Sequence, residues 1–199
     1  MKEPKVVQPR LQFVISGILA EFDLASLSRQ AQAIVRCRVI EASFRSSVAR
    51  IMVSPTGKEA ASLLVVYTDH RVKLEEVLKN SGTASLGTEM IVRTLGGVTP
   101  TLSGYANGEA QISSDEHLVL FLSRDHAHPM IESHKHFPED SLTFTIFGGF
   151  QGKFNILERE TNVSFVKRLA QPESAFVELS KFRQQVLDSL PGAALSGAR

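Results

Sequence analysis

Leu63-Leu64-Val65-Val66-Tyr67-Thr68-Asp69-His70-Arg71-Val72-Lys73-Leu74-Glu75-Glu76-Val77-Leu78-Lys79 begins as an apolar run, then alternates until it meets Asn80-Ser81-Gly82. Alternation with period two, rich in β-branched residues and closed by turn formers, predicts a long β-strand entering a turn. Ala33 to Ile40, Met90 to Leu95 and Glu116 to Leu122 repeat the grammar, so the middle of the chain reads as a strand meander able to close on itself. Within Ala33 to Phe44, Val35, Cys37 and Val39 fall on one face and Ile34, Arg36, Arg38 and Ile40 on the other, predicting one core face and one partly wet face. Glu116-His117-Leu118-Val119-Leu120-Phe121-Leu122 is an almost unbroken apolar run of strand length, as expected of a central strand buried on both sides.

Helices are expected at the two ends. Asp23 stands in the capping position before Leu24, Leu27 and Ala31, which are spaced by three and four, and predicts a short amphipathic helix. Ala175, Leu179, Phe182, Val186 and Leu190 have the same spacing, with Pro172 ahead of them and Pro191-Gly192 as a stop. Gly148 to Gly152, between Phe144-Thr145-Ile146-Phe147 and Lys153-Phe154-Asn155-Ile156-Leu157, suggests the bend of a closing hairpin. Residues 45–62 read as a turn-rich connection, and the glycines and proline of residues 96–114 as a second loop or a bent strand. Together these features predict a mainly β protein: a five- or six-stranded, OB-like closed barrel with a short N-terminal helix and a C-terminal amphipathic helix. Residues 1–20 are expected to be an N-terminal arm or a signal-like segment, residues 21–190 one domain and residues 191–199 a flexible tail.

Composition narrows the partners. The 199 residues carry 22 Lys plus Arg against 21 Asp plus Glu, interspersed along the chain, so there is no basic field to collect nucleic acid. The 12 Phe residues fall mostly within apolar runs, and with no Trp they read as core rather than as stacking platforms for bases. One cysteine, Cys37, excludes an internal disulfide and a multi-cysteine zinc site. No stretch approaches the ~18 consecutive apolar residues of a membrane-spanning helix. Lys2, Lys5 and Arg10 ahead of Leu11 to Ala20 have the order of a signal peptide cleaved after Ala20, but Gln12, Ser16 and Gly17 interrupt the apolar part and the match is poor; an added strand or a loosely ordered arm is the plainer reading.

No catalytic constellation emerges. Gly148-Gly149-Phe150-Gln151-Gly152-Lys153 lacks the spacing of a phosphate loop, and no serine stands in Gly-x-Ser-x-Gly. Glu75 and Glu76, adjacent on a strand, should point to opposite faces and so cannot form a general acid and base pair. His126, His128, His134 and His136 form two His-x-His pairs that could share a divalent ion. Their segment offers no rigid frame, and a solvated loop is the plainer reading. No cofactor is expected.

Ala31-Gln32-Ala33-Ile34-Val35-Arg36-Cys37-Arg38-Val39-Ile40 resembles the first barrel strand of the netrin-like domains of tissue inhibitors of metalloproteinases, and Arg71 to Lys79 followed by Gly82 resembles their second strand. Val77 to Gly82, Leu118 to Leu122 and Gln151 to Phe154 are similar, in this order, to segments of uncharacterised exported bacterial proteins of the same barrel type. The resemblance spans residues 24–157. It implies an OB-type barrel, an extracytoplasmic or secreted location, and a non-enzymatic binding or inhibitor module that meets a protein partner, a protease among the candidates, through its rim loops (residues 45–62 and 96–114). The inhibitors' zinc-chelating N-terminal cysteine has no counterpart, because no cysteine precedes Cys37. The second expectation is a metal-binding protein or metal-dependent enzyme built on His126 to His136.

Overall fold

The computed structural model describes residues 11–15, 21–53, 61–82, 85–124, 143–158, 164–168 and 176–191. In chain order the elements are β1 (Leu11–Ile15), α1 (Leu24–Gln30), β2 (Ala33–Val53), β3 (Ala61–Asn80), β4 (Glu89–Val98), β5 (Leu102–Ala106), β6 (His117–Arg124), β7 (Thr143–Ile146), β8 (Lys153–Glu158), β9 (Ser164–Arg168), β10 (Val177–Glu178) and α2 (Leu179–Asp188). The protein is therefore mainly β. No helix among the described residues is long and apolar enough to cross a membrane.

Five of the strands pair in a closed circuit: β2 with β3, β3 with β4, β4 with β7, β7 with β6, and β6 back to β2. All these contacts are antiparallel except β4 with β7. Register shifts along β2 and β3, between Ile34 and Val35, Arg36 and Cys37, Val39 and Glu41, and Glu41 and Arg45, give the long hairpin the local twist that carries it around the ring. Inside the ring Val35, Cys37, Val39, Val72, Met90, Val92, Leu118, Leu120, Leu122, Phe144 and Ile146 form one core. Cys37 is fully buried there as a small hydrophobe, and burial pushes its thiol up to about 12.

A second core lies on the outer side of β2 and β6. Leu27 and Ala31 from α1, Ile34, Val119, Phe121, Phe154, Ile156, Val166, and Phe182 and Val186 from α2 pack together. Leu118 to Leu122 are all 0% exposed because odd and even positions of β6 face different cores. Phe154 bridges the layer, its ring centroid 5.4 Å from Phe121 and 4.9 Å from Phe182. Asp23 caps α1 by accepting the Ser26 N–H at 2.6 Å. At its other end the Lys79 ammonium donates to the carbonyls of Ser28, Arg29 and Ala31 at 2.9, 2.8 and 2.6 Å, supplying donors that the end of a helix lacks.

Three expectations change. Residues 45–62 are not chiefly a loop, since β2 continues to Val53 and β3 begins at Ala61; β4 leaves β3 beyond Tyr67, and from there the two strands form a ribbon of their own. β7 and β8 do not pair as a hairpin. Both lie against β6, β7 on Leu122–Arg124 and β8 on Leu118–Leu120, joined by a 3₁₀ turn over Gly149–Gly152. The last helix starts at Leu179, after the short strand β10. Residues 11–15 form the added strand that the sequence offered as one reading of this segment, β1, parallel to β5.

Candidate binding cleft

Between Leu95 and Gly96 strand β4 changes partner: Tyr67↔Leu95 is the last pair with β3, and Gly96↔Tyr105 the first with β5. Gly96 and Gly97 make this bend with φ of +102° and +129°, values that side-chain-bearing residues rarely adopt. The bend opens a cleft of about 440 Å³ at one end of the inner core, lined by Ser43, Thr68, His70, Thr94, Leu95, Gly96, Gly97, Val98, Ser103, Gly104, Tyr105, Ala110, Gln111 and Ile112. A methyl group added at Gly97 would overlap Thr68 Oγ1. Gly97→Ala is therefore expected to cost roughly 2–4 kcal/mol, from strain in φ and overpacking together, and to close the cleft floor. Urea unfolding of the variant measures this; a loss below about 0.5 kcal/mol would mean that the backbone here is slack.

The floor is a chain of hydrogen-bonded polar groups. The Ser43 N–H donates to His70 Nδ1 at 3.1 Å, which leaves the neutral ring its proton on Nε2, 3.0 Å from Thr94 Oγ1. Ser43 holds φ +51° in this arrangement. Burial, with the Lys153 charge adding to it against a smaller opposing effect of Glu116, pushes His70 down to about 4, so the ring is uncharged at neutral pH. Thr68 Oγ1 donates to the Gly96 carbonyl at 2.8 Å and takes its second bond from Ser46 Oγ at 3.0 Å. Beneath Gln111, the Lys153 ammonium is buried against both Glu116 carboxylate oxygens, at 2.8 and 2.7 Å, and the Gln111 carbonyl. Glu109, next to the lining residue Ala110, is raised by burial to about 7 in spite of hydrogen bonds from the N–H groups of Ala110 and Leu95.

On the opposite face of β3 and β4 lies a buried ion pair. Arg93 Nε and Nη2 donate to Asp69 Oδ1 and Oδ2 at 2.8 and 3.2 Å, and the guanidinium sits 4.1 Å from the centre of the Tyr67 ring. Arg93 and Asp69 side chains are 5% and 0% exposed. A looser charged network crosses the outside of β2, β3, β6, β8 and α2. Glu75 meets Arg36 at 3.2 Å and His117 Nε2 at 2.6 Å, Glu76 meets Arg36 at 3.6 Å and Arg183 at 2.7 Å, and Glu158 meets Arg38 at 3.5 Å and His117 Nδ1 at 3.2 Å. Glu75 and Glu76 thus share one guanidinium instead of facing apart. Glu75 has no Cα partner on β2 between the pairs Arg36↔Glu76 and Cys37↔Leu74, and this bulge rotates the two carboxylates together. Pairs this exposed contribute about 0–1 kcal/mol each.

The imidazole of the cleft floor is fully committed to its neighbours. Both His70 nitrogens are engaged, and the neutral ring offers no lone pair to a substrate proton. Residues 96–114, expected at the rim, supply most of the lining. His126, His128, His134 and His136 lie outside the described residues, and among those described no group of three or more His, Cys, Asp or Glu is placed to hold a metal ion. Thr68, His70 and Thr94 were not expected at the site. Their sequence signal is parity: Thr68 and His70 are polar at the inward positions shared with Val66 and Val72. Compared with known proteins, the chain matches no family model, no curated protein and no solved structure.

Proposed function

We propose that this chain is a non-enzymatic binding module on a closed OB-type barrel that engages a protein partner with the rim of its cleft. The observation that carries the reading is the lining of the cleft, where Val98, Tyr105 and Leu95 of β4 and β5 leave 55, 53 and 39% of their surface exposed. Apolar side chains grouped around a concavity, above a polar floor whose bonds are already made, favour a macromolecular contact over a reacting substrate. The barrel reading is supported by strand order. In the ring β6 lies beside β2, followed by β3 and β4, which is a Greek key, and β7 completes the circuit as a fifth strand. The resemblance to metalloproteinase inhibitors makes a protease the first class of partner to test.

A photo-crosslinking amino acid at Tyr105, introduced into the protein in its source cells, is expected to give one discrete adduct that disappears when Val98 is also changed to Glu. The same label at Lys181, 74% exposed on α2, is expected to give none. Equal adducts from the two positions, or none from Tyr105, would rule out the rim as the contact surface.

A further inference from the structure

The outer edge of β5 is covered by a strand from the far N-terminal end of the chain. β1 pairs with β5 in parallel over five residues without a register shift, from Leu11↔Leu102 to Ile15↔Ala106. Among the described strands β5 is its one partner, and β1 ends the sheet order. Parallel neighbours cannot be joined by a tight turn, and here α1 and β2 to β4 intervene in sequence, so no local closure holds β1 in place.

β5 has independent support. Its other edge pairs with Gly96, Gly97 and Val98 of β4, and the turn between the two strands is locked by Thr99. The Thr99 hydroxyl donates to the Leu102 carbonyl at 2.9 Å and accepts the Leu102 N–H at 3.0 Å, while the Thr99 N–H reaches the same carbonyl at 2.8 Å. When β1 departs, β5 remains extended and presents a row of unpaired backbone groups, which is the template for strand addition.

We infer that the β5 edge is a strand-accepting site, filled here by residues 11–15 and open to an extended partner segment with apolar residues at alternate positions. That chemistry is set by the occupant in place, Leu11-Gln12-Phe13-Val14-Ile15, a sequence of high strand propensity with large apolar residues at 11, 13 and 15. Main-chain bonds supply affinity at such an edge, and the alternate side chains supply selectivity. The inference does not depend on the rim contact proposed above, which uses side chains of β4 and β5 rather than the β5 backbone.

The test uses the full chain with Phe13→Pro and Val14→Pro, which removes strand hydrogen bonds whichever alternate residues face β5. A fluorescein-labelled peptide with the sequence of residues 9–17 is titrated by anisotropy. The expected result is one peptide per chain, bound to the double variant at least tenfold more tightly than to the wild type, with no binding by a peptide carrying the same two prolines. No binding by a variant that retains the wild-type circular dichroism and melting profile would overturn the inference. So would equal affinity for both proteins, or a wild-type dimer that the prolines convert to a monomer, since the edge would then belong to a second copy. If the variant does not fold, hydrogen exchange of the wild type decides. The alternate amides of residues 11–15 and 102–106 that bond across the β1–β5 seam should be protected and exchange at one common rate, faster than the β5 amides bonded to β4, and the lack of any protected amide at 11–15 would sink the idea.

Discussion

Arg93→Met is expected to destabilise the protein by about 3–5 kcal/mol, the largest effect of any single side-chain truncation away from the apolar cores. The Asp69 carboxylate that it abandons is 0% exposed, has lost two charge-assisted hydrogen bonds of 2.8 and 3.2 Å, and cannot turn to water from the middle of a paired strand. The cost belongs to the orphaned charge rather than to the attraction itself, because two charges removed from water repay little more than their desolvation. The double variant Asp69→Leu/Arg93→Met should therefore recover at least half of the loss. Urea unfolding of the two variants side by side measures this; a double variant as unstable as the single one would show that the pair contributes through its packing on Tyr67 instead.

The pH dependence of stability should contain two opposed slopes. His70 is held near 4 against 6.5 for a free imidazole, so between these values the unfolded chain takes up a proton that the folded chain refuses. Its contribution is complete above pH 6.5 and is lost as the pH falls to 4, by about 3 kcal/mol in all. Glu109, raised to about 7 from 4.5, acts in the other direction: the unfolded chain releases its proton first, and stability is lost as the pH rises from 4.5 to 7. The wild type is expected to be nearly flat between pH 4.5 and 6.5. Glu109→Gln should expose a stability that climbs with pH across that window, and His70→Asn one that falls. Denaturation midpoints of the three proteins at pH 4, 5, 6 and 7 provide the readout, and slopes of the same sign in both variants would show that neither group titrates as its surroundings dictate.

Much of the architecture was readable from local pattern. β3 ends at Asn80 as its turn residues require, β6 is buried on both faces as its apolar run requires, and Asp23 caps α1. These features depend on neighbours within a few residues. The pairing of β7 and β8 does not. A glycine-rich bend between two strands suggests a hairpin, but both strands are drawn to successive stretches of the β6 edge, and that competition is invisible in the segment itself. Residues 45–53 and 61–62 look like loop because their serines and alanines dilute the alternation, yet each half of the ribbon satisfies the backbone of the other. For the cleft, the glycines at 96 and 97 and the rim segment were legible. The His70 and Thr94 contact was not, because it joins two residues 24 positions apart through a register that only the folded sheet defines.

The sharing of β2 and β6 between two cores imposes an order on biosynthesis. The strands of the ring lie within residues 33–146, so the ring can assemble as soon as β7 has emerged from the ribosome, but Ile34, Val119 and Phe121 then face outward with only Leu27 and Ala31, from the α1 side, to pack on them. Their covers, Phe154, Ile156, Val166, Phe182 and Val186, are translated last. For some seconds the nascent chain carries a half-covered greasy wall on an otherwise finished sheet, the kind of transient surface that recruits chaperones, and a ribosome stalled before β8 would hold it in that state.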